Sequence, residues 1–84
     1  MPTVFVLDVE EFRPLIDDAR KRLELQVSGP KKGYWTLTSG AEMSFRRSEL
    51  GLNPAVWNGV LTVGMLGHIV QFDREVLRIL EARL

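Results

Sequence analysis

The chain has no cysteine and only one histidine, and both shortages limit what can stabilise it. Its 84 residues suffice for one small domain, and domains below about 80 residues often depend on disulfides, a metal or a partner chain. Without cysteine there is no disulfide and no thiolate ligand, and His68 alone does not make a zinc site. We therefore expect no metal and no cofactor, and a partner chain is the most natural supplement.

Net charge is also missing, because 11 basic residues balance 11 acidic ones. Nucleic-acid modules are usually net basic, since neutralised phosphates supply most of their affinity. The balance counts against nucleic acid as a partner.

Charge is absent altogether from residues 50–72, a run of 23 residues without Asp, Glu, Lys or Arg. This length would span a bilayer. The run also contains side chains that are costly in hydrocarbon, namely Asn53, Asn58, His68 and Gln71. A buried core segment is the better interpretation. Because the first residues show no basic region of a signal peptide, we expect a cytoplasmic, bacterial-type protein without a membrane segment.

The first third of the chain predicts a strand and then a helix. The run Thr3–Leu7 is β-branched and aromatic, as strands are. A helix is expected from Glu10 or Glu11, with Asp8 and Glu11 at capping-box spacing and Pro14 in the first turn. Its apolar stripe would consist of Phe12, Leu15, Ile16, Ala19 and Leu23.

The middle third alternates apolar and polar residues, which predicts strands. Residues 23–28 form one alternating run, and the glycines and proline of residues 29–33 should break it. Residues 34–45 predict a hairpin with Ser39 and Gly40 in its turn. The alternative is a helix capped by Ser39 and Glu42, so Ser39–Arg47 is either strand or helix. The period of two on both sides of the turn favours the hairpin.

The last third predicts two further helices around a short strand. Asn53 and Pro54 make a good helix start, and Gly64 can end that helix. Residues 68–72 predict a strand, and Asp73 would cap a final helix whose apolar residues are Val76, Leu77, Leu80 and Leu84. The predicted fold is one α+β domain over residues 1–84, with a mainly antiparallel sheet of four or five short strands and two or three helices on one face. The pattern leaves the strand order open.

The segment SGPKKGYW, residues 28–35, is the most prominent candidate for a ligand or nucleic-acid loop. Lys31 and Lys32 would supply charge, and Tyr34 and Trp35 would supply stacking rings. The alternative is a simple hairpin turn, whose lysines keep its tip solvated. Because adjacent strand residues point to opposite faces, only one of the two rings can lie in the core. We favour the turn, with one outward aromatic ring.

A winged-helix arrangement is the second candidate for nucleic-acid binding. Arg46 and Arg47 would contact phosphates, and the helix after Asn53 would read bases. That helix offers only Asn53 and Asn58 and no positive charge, so it suits the role badly.

Catalytic motifs are missing as well. His68 has no nucleophile or acid in a recognisable motif beside it, and Asp17 with Asp18 does not share a helix face. We therefore expect a protein that is not an enzyme.

Trp57 is the leading candidate for binding a partner. The helical spacing places it at the edge of the apolar stripe, where its ring would reach the core and its indole N–H would stay free. The alternative is that Trp57 fills the core. With Asn58, Met65 and Leu66, it completes the set of candidate contact residues.

The function that the sequence favours is a non-catalytic interaction or regulatory domain. It would self-associate, as a homodimer, through residues 50–72, or bind another protein. The alternatives are a winged-helix-like nucleic-acid-binding protein and a small-ligand-binding domain.

Overall fold

The computed structural model describes residues 1–81 and shows seven strands and three α-helices. The strands are β1 (Thr3–Leu7), β2 (Leu25–Lys31), β3 (Tyr34–Ser39), β4 (Met43–Arg46), β5 (Gly64–Leu66), β6 (His68–Phe72) and β7 (Val76–Leu80). The helices are α1 (Arg13–Lys21), α2 (Arg47–Leu50) and α3 (Pro54–Asn58). The predicted α+β class with antiparallel strands is confirmed, but the seven strands exceed the four or five expected.

The strands form two antiparallel sheets rather than one. The first has the order β2-β3-β1-β5, and the second has the order β4-β7-β6. Both sheets contribute to one core, which also receives the buried face of α1. The members without measurable exposure are Val4, Val6, Leu15, Ala19, Leu37, Trp57, Leu77 and Ile79.

The strand β1 has the predicted bounds, and the helix after it begins later than predicted. A 3-10 turn covers Glu10–Phe12, and α1 starts at Arg13 with Pro14 in its first turn. Asp8 does not cap this helix, because its carboxylate accepts the indole N–H of Trp35 at 3.0 Å. The predicted stripe is buried except for Leu23, which lies in the turn after α1 and is fully exposed.

The expected break at residues 29–33 begins three residues late, because β2 ends at Lys31. The strand β2 continues through a cis Gly29–Pro30 bond, and its pairing with β3 is irregular between Ser28 and Lys31. The turn lies at Lys32 and Gly33, whose φ angles of 57° and 88° are left-handed. A glycine suits this geometry, so the chain turns there.

The predicted hairpin of residues 34–45 is wrong in its pairing, although both of its strands exist. The strand β3 pairs with β2 and β1, whereas β4 pairs with β7 in the other sheet. Ser39 redirects the chain: its hydroxyl accepts the N–H of Ala41 and donates to the carbonyl of Glu42. Residues 43–46 form a strand, so the alternative of a helix capped by Ser39 and Glu42 is wrong, and helical structure begins only at Arg47.

The helix after Asn53 starts as predicted but ends early. The Asn53 side chain accepts the N–H of Val56 at 2.9 Å, as an N-cap does. Helical structure stops at Asn58 rather than near Gly64, and Gly64 instead begins β5, a strand that the sequence analysis missed.

The predicted C-terminal helix is wrong over residues 76–80, which form β7; Leu84 lies outside the described residues. Asp73 does accept the N–H groups of Glu75 and Val76, at 2.9 and 2.8 Å. These bonds close the turn between β6 and β7 instead of starting a helix, because the same carboxylate geometry serves both structures. The strand β7 lies at the centre of its sheet, where pairing on both sides outweighs a helix-like apolar spacing.

Candidate functional site

The loop that joins β2 and β3 carries the first set of predicted residues. Lys31 and Lys32 are exposed at the turn. Tyr34 is half-buried, and its ring meets the edge of Phe5 at a centroid distance of 5.6 Å. Trp35 is buried, so only one ring enters the core, as predicted.

The ring of Trp35 is also covered by an arginine side chain, so it is not available for stacking. Its indole N–H is bonded to Asp8, and the guanidinium carbon of Arg20 lies 4.8 Å from its ring centroid. A nucleobase therefore has no free face of this ring to stack on.

The arrangement of Trp57 differs from the predicted anchor. Its side chain is fully buried, and its indole N–H donates to the carbonyl of Asp73 at 2.7 Å. The ring of Phe72 packs against it at a centroid distance of 5.8 Å. The expectation of a free indole N–H is therefore wrong, and Trp57 joins α3 to the β6–β7 turn. The short helix α3 leaves no long recognition helix in this position.

Arg47 joins the same turn from the other side. Three consecutive carbonyls of the turn accept hydrogen bonds: Asp73 from Trp57, Arg74 from the Arg47 Nε at 2.8 Å, and Glu75 from the Arg47 backbone N–H at 2.8 Å. The turn is thus held at every residue. Its central side chain, that of Arg74, is exposed.

Both carboxylates of the turn are occupied by hydrogen bonds. The side chain of Gln71, followed by the N–H groups of Val76 and Glu75, lowers the pKa of Asp73 to about 2. The hydroxyl and N–H of Ser48 lower the pKa of Glu75 below its usual value. Both groups prefer the ionised form that these donors recognise.

Exposed apolar side chains concentrate at β5 and β6. Within residues 1–81, five of the nine large apolar side chains with high exposure lie in residues 63–72. We call this group the β5–β6 surface: Val63, Leu66, Ile69, Val70 and Phe72. Of the predicted contact residues, Leu66 is 59% exposed and belongs to this surface. Met65 is half-buried against the core, and Asn58 is exposed at the end of α3.

The free edges of the two sheets differ in how well they are protected. The outer strand β2 carries Pro30 and Lys31 and an irregular register, which are features that discourage edge pairing. The outer strand β4 is covered by Arg22, which donates to the carbonyl of Ser44 and lies over the ring of Phe45. The strand β5 is only three residues long.

The strand β6 is the least protected edge. It has five residues and no charged side chain, and within residues 1–81 only one of its two sides is paired, with β7. A bulge between Ile69 and Gln71 interrupts that pairing and, like the irregularity in β2, discourages edge pairing, but β6 has neither a proline nor a lysine. This strand lies in the uncharged interval, but Ile69, Val70 and Phe72 were not among the predicted contact residues. Their signal was the combination of an apolar strand pattern with missing charge.

No protein-family model and no curated protein sequence matches this chain. Among the residues that the structure describes, no helix is long and apolar enough to cross a membrane. The same residues contain no group of three or more His, Asp or Glu side chains placed to hold a metal ion. The β5–β6 surface and its edge strand are the features of the described residues that bear on function.

Proposed function

We propose that this chain is a non-catalytic interaction domain that forms a homodimer through the edge of β6. The observation that carries the proposal is an uncharged edge strand flanked by exposed apolar side chains. Unpaired strand edges bind another strand through backbone hydrogen bonds, and neighbouring side chains add apolar contacts.

A second copy of the chain suits this edge for a symmetry reason. Two identical strands can pair antiparallel about a two-fold axis, so each edge satisfies the other. Pairing of β6 with β6 would extend the three-stranded sheet into one of six strands. Identical charges opposite each other would oppose this pairing, and β6 has none.

The size of a stable interface indicates that more than the strand takes part. Standard interfaces bury about 800 Å² per partner, which is roughly 15% of this domain's 5312 Å² of accessible surface. A five-residue strand is only about 17 Å long. The side chains of Val63 and Leu66, beside β6 in sequence, are the exposed apolar groups that would enlarge the contact.

The test compares two single substitutions of the same chemistry. Val70 and Val9 are 41% and 42% exposed, but Val9 lies outside the β5–β6 surface. In sedimentation equilibrium, Val70→Lys should raise the dimer dissociation constant at least about tenfold, since edge lysines oppose strand pairing. Val9→Lys should leave it unchanged.

The unsubstituted chain should show a mass near twice its 9.6 kDa monomer mass. A mass of 9.6 kDa at concentrations on the order of tens of micromolar would overturn the proposal, because the dimer dissociation constant would then lie far above those concentrations. Equal weakening by Val70→Lys and Val9→Lys would place the interface outside the β5–β6 surface.

A further inference from the structure

A cleft lies between α3 and the β6–β7 turn, and none of its wall residues belongs to the β5–β6 surface. Its volume is about 450 Å³, and its walls are Arg47, Pro54, Trp57, Asn58 and Arg74. Two of the five residues are arginines, and none is acidic.

Arg47 is held in this cleft by neutral acceptors. Its Nε donates to the carbonyl of Arg74, and its Nη1 donates to the carbonyl of Leu52 at 3.0 Å. Its Nη2 is 3.8 Å from the nearest oxygen of Glu75, which is longer than a hydrogen bond. The carbonyls therefore orient the guanidinium, and Glu75 pairs with it only at this longer ion-pair distance.

Arg74 contributes a second guanidinium from a rigid backbone. Its carbonyl is bonded to Arg47, and both neighbouring carbonyls are also bonded, but its side chain has no hydrogen bond or ion pair within residues 1–81. The turn thus fixes the backbone from which the Arg74 side chain extends into solvent.

The carboxylates near the cleft are already occupied. Asp73 accepts from Gln71 and from two backbone N–H groups, and Glu75 accepts from Ser48.

We propose that this cleft binds an oxyanion, the carboxylate or phosphate group of a small molecule, between Arg47 and Arg74. Guanidinium groups bind both anions through paired N–H donors, and orientation in advance reduces the ordering cost of binding. The exposed amide of Asn58 adds a donor at the same wall. The inference is independent of the homodimer, because Arg47 and Arg74 are not part of the β5–β6 surface.

The indole N–H of Trp57 provides a local probe, since Trp57 forms a wall of the cleft and bonds to the turn. Inorganic phosphate and acetate are titrated separately into ¹⁵N-labelled protein, with sodium chloride at equal ionic strength as the reference. We expect a saturable shift of the Trp57 indole signal, while the Trp35 indole signal, bonded to Asp8, stays constant. Saturation by phosphate alone, by acetate alone or by both identifies the oxyanion.

Two arginine variants separate a specific site from general charge. Arg74→Gln should weaken binding about tenfold, because it removes a charge-assisted pair. Arg46→Gln loses the same charge from an exposed residue outside the cleft walls and should change binding by less than about threefold. Absence of saturation with both anions, unchanged binding in Arg74→Gln, or equal weakening by both variants would overturn the inference.

Discussion

Replacing Trp57 by alanine should remove much of the free energy that holds α3 and the β6–β7 turn to the core. Trp57 is the largest fully buried side chain. Truncating a buried tryptophan costs about 3–5 kcal/mol through lost burial and the cavity left behind. Small domains have only about 5–15 kcal/mol in total, so the loss is a large share.

The variant Trp57→Phe divides this loss into its parts. It keeps most of the ring burial and the contact with Phe72, but it leaves the carbonyl of Asp73 without the indole donor. We expect a cost of about 1–3 kcal/mol for this variant. Urea unfolding followed by far-ultraviolet circular dichroism measures both free energies. Leu23→Ala, at a fully exposed position, is the control and should cost less than about 0.5 kcal/mol.

An unchanged midpoint in Trp57→Ala would refute the assignment of Trp57 to the core. Equal losses in the two variants would show that the indole hydrogen bond, rather than ring burial, provides the stability.

Two further predictions concern acid stability and a crowded glycine. The pKa of Asp73 is about 2 in the folded protein, and its ordinary value is 3.8. The contribution of Asp73 to the free energy of unfolding is therefore complete above pH 3.8 and is lost as the pH falls through about 2. Acid titration should show that this loss of stability is weaker in Asp73→Asn. Gly67→Ala should lower the free energy of unfolding by about 1–3 kcal/mol in urea, because the new Cβ would lie 2.7 Å from Ile79 Cγ2 and the φ of 134° is left-handed. Gly40→Ala, with open space around it, is the control, and equal stability of the two variants would contradict the reasoning.

Local signals allowed several elements to be predicted from the sequence. The strand β1 follows from a β-branched run, and the start of α3 follows from Asn53 and Pro54, whose capping and φ preferences act within one turn. The presence of a turn before β3 was also predictable, although its position at Lys32 and Gly33 was not. Such features depend on nearby residues, so the sequence alone defines them.

Long-range pairing decided the elements that were mispredicted. The strand β7 has an apolar spacing that also suits a helix, and only its central position between β4 and β6 selects the strand. The strand β4 joins the second sheet because the bonds of Ser39 redirect the chain, which an alternating pattern does not reveal. Neither pairing is encoded within a short window.

The candidate sites likewise divide into features with a local sequence signal and features that depend on long-range contacts. The missing charge in residues 50–72 indicated an apolar region, and its exposed large apolar side chains form the β5–β6 surface. The burial of Trp57 and the cleft beside Arg74 depend on the β6–β7 turn, which the sequence had assigned to a helix start. Once that turn was misassigned, its contacts with Arg47 and Trp57 were not predictable.

Contacts between two copies of the chain test the central claim most directly. A mixture of ¹³C,¹⁵N-labelled and unlabelled protein, in an isotope-filtered nuclear Overhauser experiment, reports only contacts between different copies. The proposed pairing predicts contacts between Val70 and residues of β6 in the second copy, because antiparallel strands place opposite side chains about 5 Å apart. Absence of contacts between copies, or contacts confined to residues outside β5 and β6, would contradict the account.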